Sequence, residues 1–202
     1  MMDEGDPLLL RDPGTMLDET LRAWGGDEDL WVFGYASLIW RPEFDAEEQR
    51  GAAVHGWHRA LRMRSRINRG TPQQPGLVFA LLPGGACRGV VYRMRRENAD
   101  EELERLWARE MPTGVYDARL LPCRTPSGPV LALAFTLAKH SPACLPRLED
   151  AEIVHILRRA RGRYGSTLEY LAETAAALRQ RGVQDREVER LMGLARRHGL
   201  VG

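Results

Sequence analysis

The chain has 202 residues, a formal net charge of +1, 44% hydrophobic residues and 28% charged ones. That length suffices for one domain with its own core, and that composition is globular rather than disordered. The near-neutral charge lacks the usual footprint of a nucleic-acid or anionic-membrane binder, and no apolar run approaches the length of a membrane helix.

In chain order, residues 1–15 mix Asp, Gly and Pro and read as frayed or disordered. Met16, Leu17, Thr20, Leu21 and Trp24 have helical spacing, so a short helix is expected before Gly25-Gly26. Residues 1–28 thus read as an N-terminal extension, partly disordered or a short helix. Leu30-Trp31-Val32-Phe33 reads as a buried strand stopping at Gly34. Across 53–67, Leu61, Met63, Ser65 and Ile67 alternate with Arg62, Arg64 and Arg66, the period of a half-buried strand. Two apolar runs, 76–82 and 86–94, flank Pro83-Gly84-Gly85 and predict a β-hairpin. Asn98 is the expected N-cap of a helix reaching about Arg109. Strands are expected at 116–123 and 130–138.

The C-terminal third reads as three helices. One spans about 150–161. Ser166 and Glu169 have capping-box spacing and open a second, closed near Gly182. Asp185 is the expected N-cap of a third, which ends near Gly199. Strands first and helices afterwards predict an α+β fold with a largely antiparallel sheet.

Cys87, Cys123 and Cys144 have neither zinc-site nor disulfide spacing. They read as reduced, buried or bystander thiols, as expected of a cytoplasmic protein. The acidic start, Met1 to Asp12, is unlike a signal peptide. His55 and His58 would face opposite sides of a strand, and Ser37 lacks a Gly-x-Ser-x-Gly context. Of the 29 basic residues only Lys139 is lysine, a bias read as base composition rather than a binding role.

Several residues admit two readings. Phe33 to Trp40 is a core strand ending in a turn, or a turn whose free amides bind an anion. Glu110 is an ordinary acid ending a helix, or a carboxyl desolvated beside Trp107 and Met111-Pro112 and so raised in pKa. Tyr116 is a core tyrosine or a pocket hydroxyl. Ser37 caps a turn or donates to a ligand. Arg62, Arg64 and Arg66 are a solvated face or an anion contact.

Phe33-Gly34-Tyr35-Ala36-Ser37-Leu38-Ile39-Trp40, followed by Arg41-Pro42, resembles the substrate loop of the ChaC-type, glutathione-specific γ-glutamylcyclotransferases. Further matches follow in order. They are His55-Gly56-Trp57-His58-Arg59, Arg69-Gly70-Thr71-Pro72, Cys87 to Arg93, and Trp107-Ala108-Arg109-Glu110-Met111 with Thr113-Gly114-Val115-Tyr116. The resemblance covers about Asp29 to Asp185. It implies a small, mixed, mostly antiparallel β-barrel with flanking helices, forming one domain over 29–202. It also implies that Glu110 is a general acid/base and that Tyr35, Ala36, Ser37, Leu38 and Tyr116 bind substrate. The implied reaction is attack of a γ-glutamyl α-amine on its own γ-carbonyl, giving 5-oxoproline. From glutathione the second product is cysteinylglycine. The alternatives are a cyclotransferase for other γ-glutamyl amines or amino acids, or a non-catalytic γ-glutamyl-binding protein. No cofactor or metal is called for, and the expected partner is a small-molecule substrate rather than nucleic acid or membrane, with a monomer favoured. Ala36 stands where the family carries Gly, which suits a negative φ there.

Overall fold

Alternating apolar positions build five strands that close into a barrel, described over residues 11–202 by a computed structural model. Helix α1 (Pro13–Trp24) comes first. Its Asp12 cap accepts from the Gly14 and Thr15 amides, and Gly25, at φ 86°, closes it. Strand β1 (Leu30–Gly34) leads into a four-residue helix, α2 (Ser37–Trp40). Strands β2 (Glu48–Ser65) and β3 (Gly76–Met94) follow, then α3 (Arg96–Glu110). Next are β4 (Asp117–Thr125) and β5 (Gly128–Thr136), then α4 (Asp150–Arg159). A two-residue pair, β6 (Arg161–Gly162) and β7 (Gly165–Ser166), precedes α5 (Thr167–Gln180) and α6 (Arg186–Arg197).

The barrel order is β1-β3-β2-β4-β5. Neighbours pair antiparallel except at the closing seam, where β1 runs parallel to β5 through Trp31 with Ala132 and Val32 with Leu133. The fold is therefore α+β and mostly antiparallel, as the sequence implies. Alternation sorts the strand residues into two cores. Phe33, Phe79, Leu81 and Val91 pack with α4, α5 and α6. Val32, Leu82, Met94 and Leu133 pack with Leu103, Leu106 and Trp107 of α3. No described helix is long and apolar enough to cross a membrane.

The expected hairpin at Pro83-Gly84-Gly85 does not form. Strand β3 runs straight through, paired with β2 from Ser65–Gly76 to Glu48–Arg93. Gly84 and Gly85, at φ 106° and 74°, lie opposite Gly56 at φ 82°. These three absorb a register shift between His55 and Trp57, so the turn-type residues bend a long ladder instead of reversing it. The strand read at 53–67 spans 48–65. A second register shift between Leu61 and Met63 breaks the alternation, and Ile67 is 39% exposed.

Three helix starts are informative. The expected N-cap Asn98 is already inside α3, which begins at Arg96. Asp29 Oδ1, from a distant segment, accepts the Arg96 amide at 3.1 Å and does the work a local cap would do. Ser166 and Glu169 form the expected capping box of α5. Asp185 caps α6 through the Glu187 and Val188 amides, each at 3.1 Å. The fraying expected at 1–15 is wrong for 11–15, since Asp12 and Pro13 start α1. Residues 1–10 lie outside the described residues.

Candidate active site

A cleft of about 280 Å³ opens where α2, the ends of β2 and α3, and α5 converge. Glu110, the last residue of α3, lines it. Its side chain keeps 16% exposure, so the carboxyl reaches the cleft while most of it is out of water. Burial raises its pKa, Arg109 opposes that shift, and Glu43 adds to it. Arg109 Nε lies 3.1 Å from Glu110 Oε1, and its Nη1 lies 3.1 Å from Glu43 Oε2. The same guanidinium donates to the Arg41 and Pro42 carbonyls. Arg109 thus ties the stretch after α2 to the carboxyl of Glu110.

Three tyrosines surround Glu110. Tyr116 lines the cleft, and Tyr35 is buried outside its wall. Tyr170, on α5, also lines it. Its hydroxyl accepts the Phe79 amide at 3.1 Å, which leaves the phenolic proton free to donate elsewhere. Burial is the main cause that raises all three phenols, so they stay protonated donors. The Arg69 guanidinium lies over the Tyr170 and Trp40 rings, at 5.2 and 5.8 Å. Gly70 and Gly76 let this loop close: a Cβ on Gly76 would sit 2.1 Å from the Arg69 carbonyl.

Of the residues singled out in the sequence, Glu110, Ser37 and Tyr116 line the cleft together. Tyr35, Ala36 and Leu38 do not. Tyr35 is buried and is not part of the cleft wall. Leu38 points into the α3-side core, and its carbonyl accepts the Tyr92 hydroxyl at 2.8 Å. Ala36 has φ −145°, negative as expected, although its ψ of −111° is neither regular strand nor helix. The Ile39 amide bonds back to the Ala36 carbonyl at 2.9 Å, while the Ser37 and Leu38 amides meet no acceptor among the described residues. Arg64 and Arg66 line the cleft, but Arg62 does not. The shift at Leu61–Met63 turns it to the Leu145 carbonyl, at 2.7 Å.

Sequence reasoning assigned no role to Tyr170, Arg109, Arg69 or Arg59. Tyr170 did carry a signal: a hydroxyl on the apolar stripe of a well-capped helix must find a buried partner. Arg59 has a side chain with no exposure and donates to the Tyr35 and Arg88 carbonyls and to Asp185. It joins the segment before α2 to the cap of α6. Burial pushes the Cys87 and Cys123 thiols up to about 11 and about 12, so both are inert near neutral pH. Among the described residues no group of three His, Cys, Asp or Glu side chains converges as metal ligands.

The barrel thus carries a cleft with one desolvated carboxyl, Glu110, lined by phenols and arginines. The chain belongs to the ChaC-like protein family, whose model matches residues 30–198. It is 34% identical over 170 residues to the Escherichia coli K12 protein named glutathione-specific γ-glutamylcyclotransferase, covering 84% of this chain and 74% of that one. It is 35% identical over 166 residues to human glutathione-specific γ-glutamylcyclotransferase 1, covering 79% of this chain and 74% of that one. The crystal structure of a yeast γ-glutamylcyclotransferase specific to glutathione superposes with a TM-score of 0.77 at 23% identity, over 85% of this chain and 97% of that one. That last likeness concerns the fold alone.

Proposed function

We propose that this protein is a γ-glutamylcyclotransferase that converts glutathione to 5-oxoproline and cysteinylglycine. The observation that carries this reading is the position of Glu110, a carboxyl raised in pKa by burial yet open to the cleft. The α-ammonium of a γ-glutamyl group cannot attack until it loses a proton. Glu110 takes that proton, the amine closes on the γ-carbonyl, and the same carboxyl returns a proton to the departing amide nitrogen. The reaction is internal to one substrate, so proximity requires no second bound reactant. Glu43 also borders the cleft, but it is 43% exposed and engaged by Arg41 and Arg109.

The neutral phenols of Tyr116 and Tyr170 and the free amide of Ser37 supply donors for the γ-carbonyl oxygen and the α-carboxylate. Arg64 and Arg66 form no ion pair among the described residues, although both line the cleft. They suit the distal glycine carboxylate of glutathione.

The reading is tested by incubating the protein with glutathione and measuring 5-oxoproline. No product from glutathione or from γ-glutamyl dipeptides overturns it. A charge-assisted contact is worth about 1.5–3 kcal/mol, so kcat/KM for glutathione should exceed that for γ-glutamylcysteine by about ten- to a hundredfold. Arg64→Ala and Arg66→Ala should narrow that gap, and Arg62→Ala should not. Equal values for the two substrates would show that the distal carboxylate is not read.

A further inference from the structure

The stretch that joins Glu110 to β4 carries Thr113, Val115 and Tyr116 into the cleft wall. It has no regular structure of its own, and Gly114 within it is left-handed, at φ 61°. Its backbone is held from outside by one guanidinium. Arg11 Nε donates to the Gly114 carbonyl at 2.8 Å, Nη2 donates to the Tyr116 carbonyl at 2.5 Å, and Nη1 pairs with Asp117 Oδ1 at 2.7 Å. The chain around Arg11 is in turn fixed to α3. The indole of Trp107, one turn before Glu110, donates to the Pro13 carbonyl at 2.7 Å. Gly114 and Arg11 approach so closely that a Cβ on Gly114 would lie 2.5 Å from the Arg11 carbonyl. Arg11 and Pro13 both precede residue 30, where the family match begins.

We infer that Arg11 is a positioning residue that holds the Gly114–Asp117 backbone, so that the Tyr116 hydroxyl stands beside Glu110. The N-terminal segment thereby becomes part of the active-site wall without touching substrate. A planar fork with several donors in fixed directions suits the task, because it pins two carbonyls and a carboxylate at once. Lysine would keep the charge and could bond a carbonyl, but it could not hold all three groups. The Arg64–Arg66 side of the cleft lies on a different element, so substrate capture should be largely spared while the reacting end loosens.

This inference rests on the proposed cyclotransferase reading for its kinetic test, and a second readout is independent of activity. The experiment compares the full-length wild type, Arg11→Ala and Arg11→Lys. With glutathione, Arg11→Ala should lower kcat about tenfold and change KM less than about threefold, since small misplacements at a reacting centre weigh on turnover. Arg11→Lys should fall between. Hydrogen exchange of peptides covering residues 112–118 should quicken by about tenfold in Arg11→Ala and less in Arg11→Lys, with α5 and α6 unchanged. Wild-type kcat and wild-type exchange in Arg11→Ala would overturn the inference. So would faster exchange spread evenly over the chain, which signals general loosening. Should the wild type make no 5-oxoproline, the cyclotransferase reading fails and exchange alone decides: a local rise upholds the clamp, and none overturns it.

Discussion

Glu110→Gln is expected to lower kcat by about 10²- to 10⁴-fold while leaving the fold intact, because an amide keeps the shape of the carboxyl but cannot take a proton. Steady-state kinetics with glutathione check this, and near-normal kcat in a folded variant would refute the role of Glu110. The pH dependence follows from the same burial. The base form is needed, so wild-type kcat/KM should rise with pH through a midpoint above the ordinary carboxylate range. Stability runs the other way. The folded state favours the neutral carboxyl, so its contribution is complete below the unfolded pKa and is lost as pH rises through the higher folded one. Glu110→Gln lacks that loss. The variant should match the wild type in thermal stability near pH 4 and exceed it near about pH 8. A difference in Tm that stays flat with pH would show that burial exacts no penalty there.

The second large effect concerns Arg59. Arg59→Ala should destabilise the protein by about 3–5 kcal/mol, the cost of breaking a buried ion pair by removing one partner. That is a large share of the roughly 5–15 kcal/mol that holds a domain folded. The Arg59 side chain is fully buried, and that of Asp185 is 18% exposed. The deletion strands part of the Asp185 carboxylate and two carbonyls, those of Tyr35 and Arg88. Asp185 keeps its capping bonds through its other oxygen, so α6 should survive while its anchorage to the α2 approach weakens. Urea unfolding of Arg59→Ala and Arg59→Lys measures this. A loss below about 1 kcal/mol in the alanine variant would show that the pair holds nothing together.

Local rules were readable wherever the partners lie close in sequence. Ser166 with Glu169, Asp185 with the next turn, and the apolar alternation of β1 needed only neighbours. Asn98 misled because the true partner of the α3 terminus, Asp29, comes from a distant segment. Pro83-Gly84-Gly85 misled because the same backbone freedom serves a turn or a bulge, and pairing with β2 decides which. The phase of Arg62, Arg64 and Arg66 was lost at the Leu61–Met63 shift. The site divides along the same line. Glu110, Ser37 and Tyr116 were reachable through motif order, whereas Tyr170 reaches the cleft from α5, outside every quoted motif, and Arg69, although within one, meets Trp40 and Tyr170 only in the folded chain.

The parallel seam between β1 and β5 has a consequence for how the protein is made. Translation delivers Val32 early, but one of its neighbours is Tyr92 and the other is Leu133. Until β5 has left the ribosome the first strand has an open edge, and until α5 follows there is no Tyr170 to face Glu110. A nascent chain halted before α5 therefore has Glu110 but lacks the Tyr170 part of the cleft wall. The cleft is therefore complete only after both β5 and α5 have been made, however early Glu110 appears.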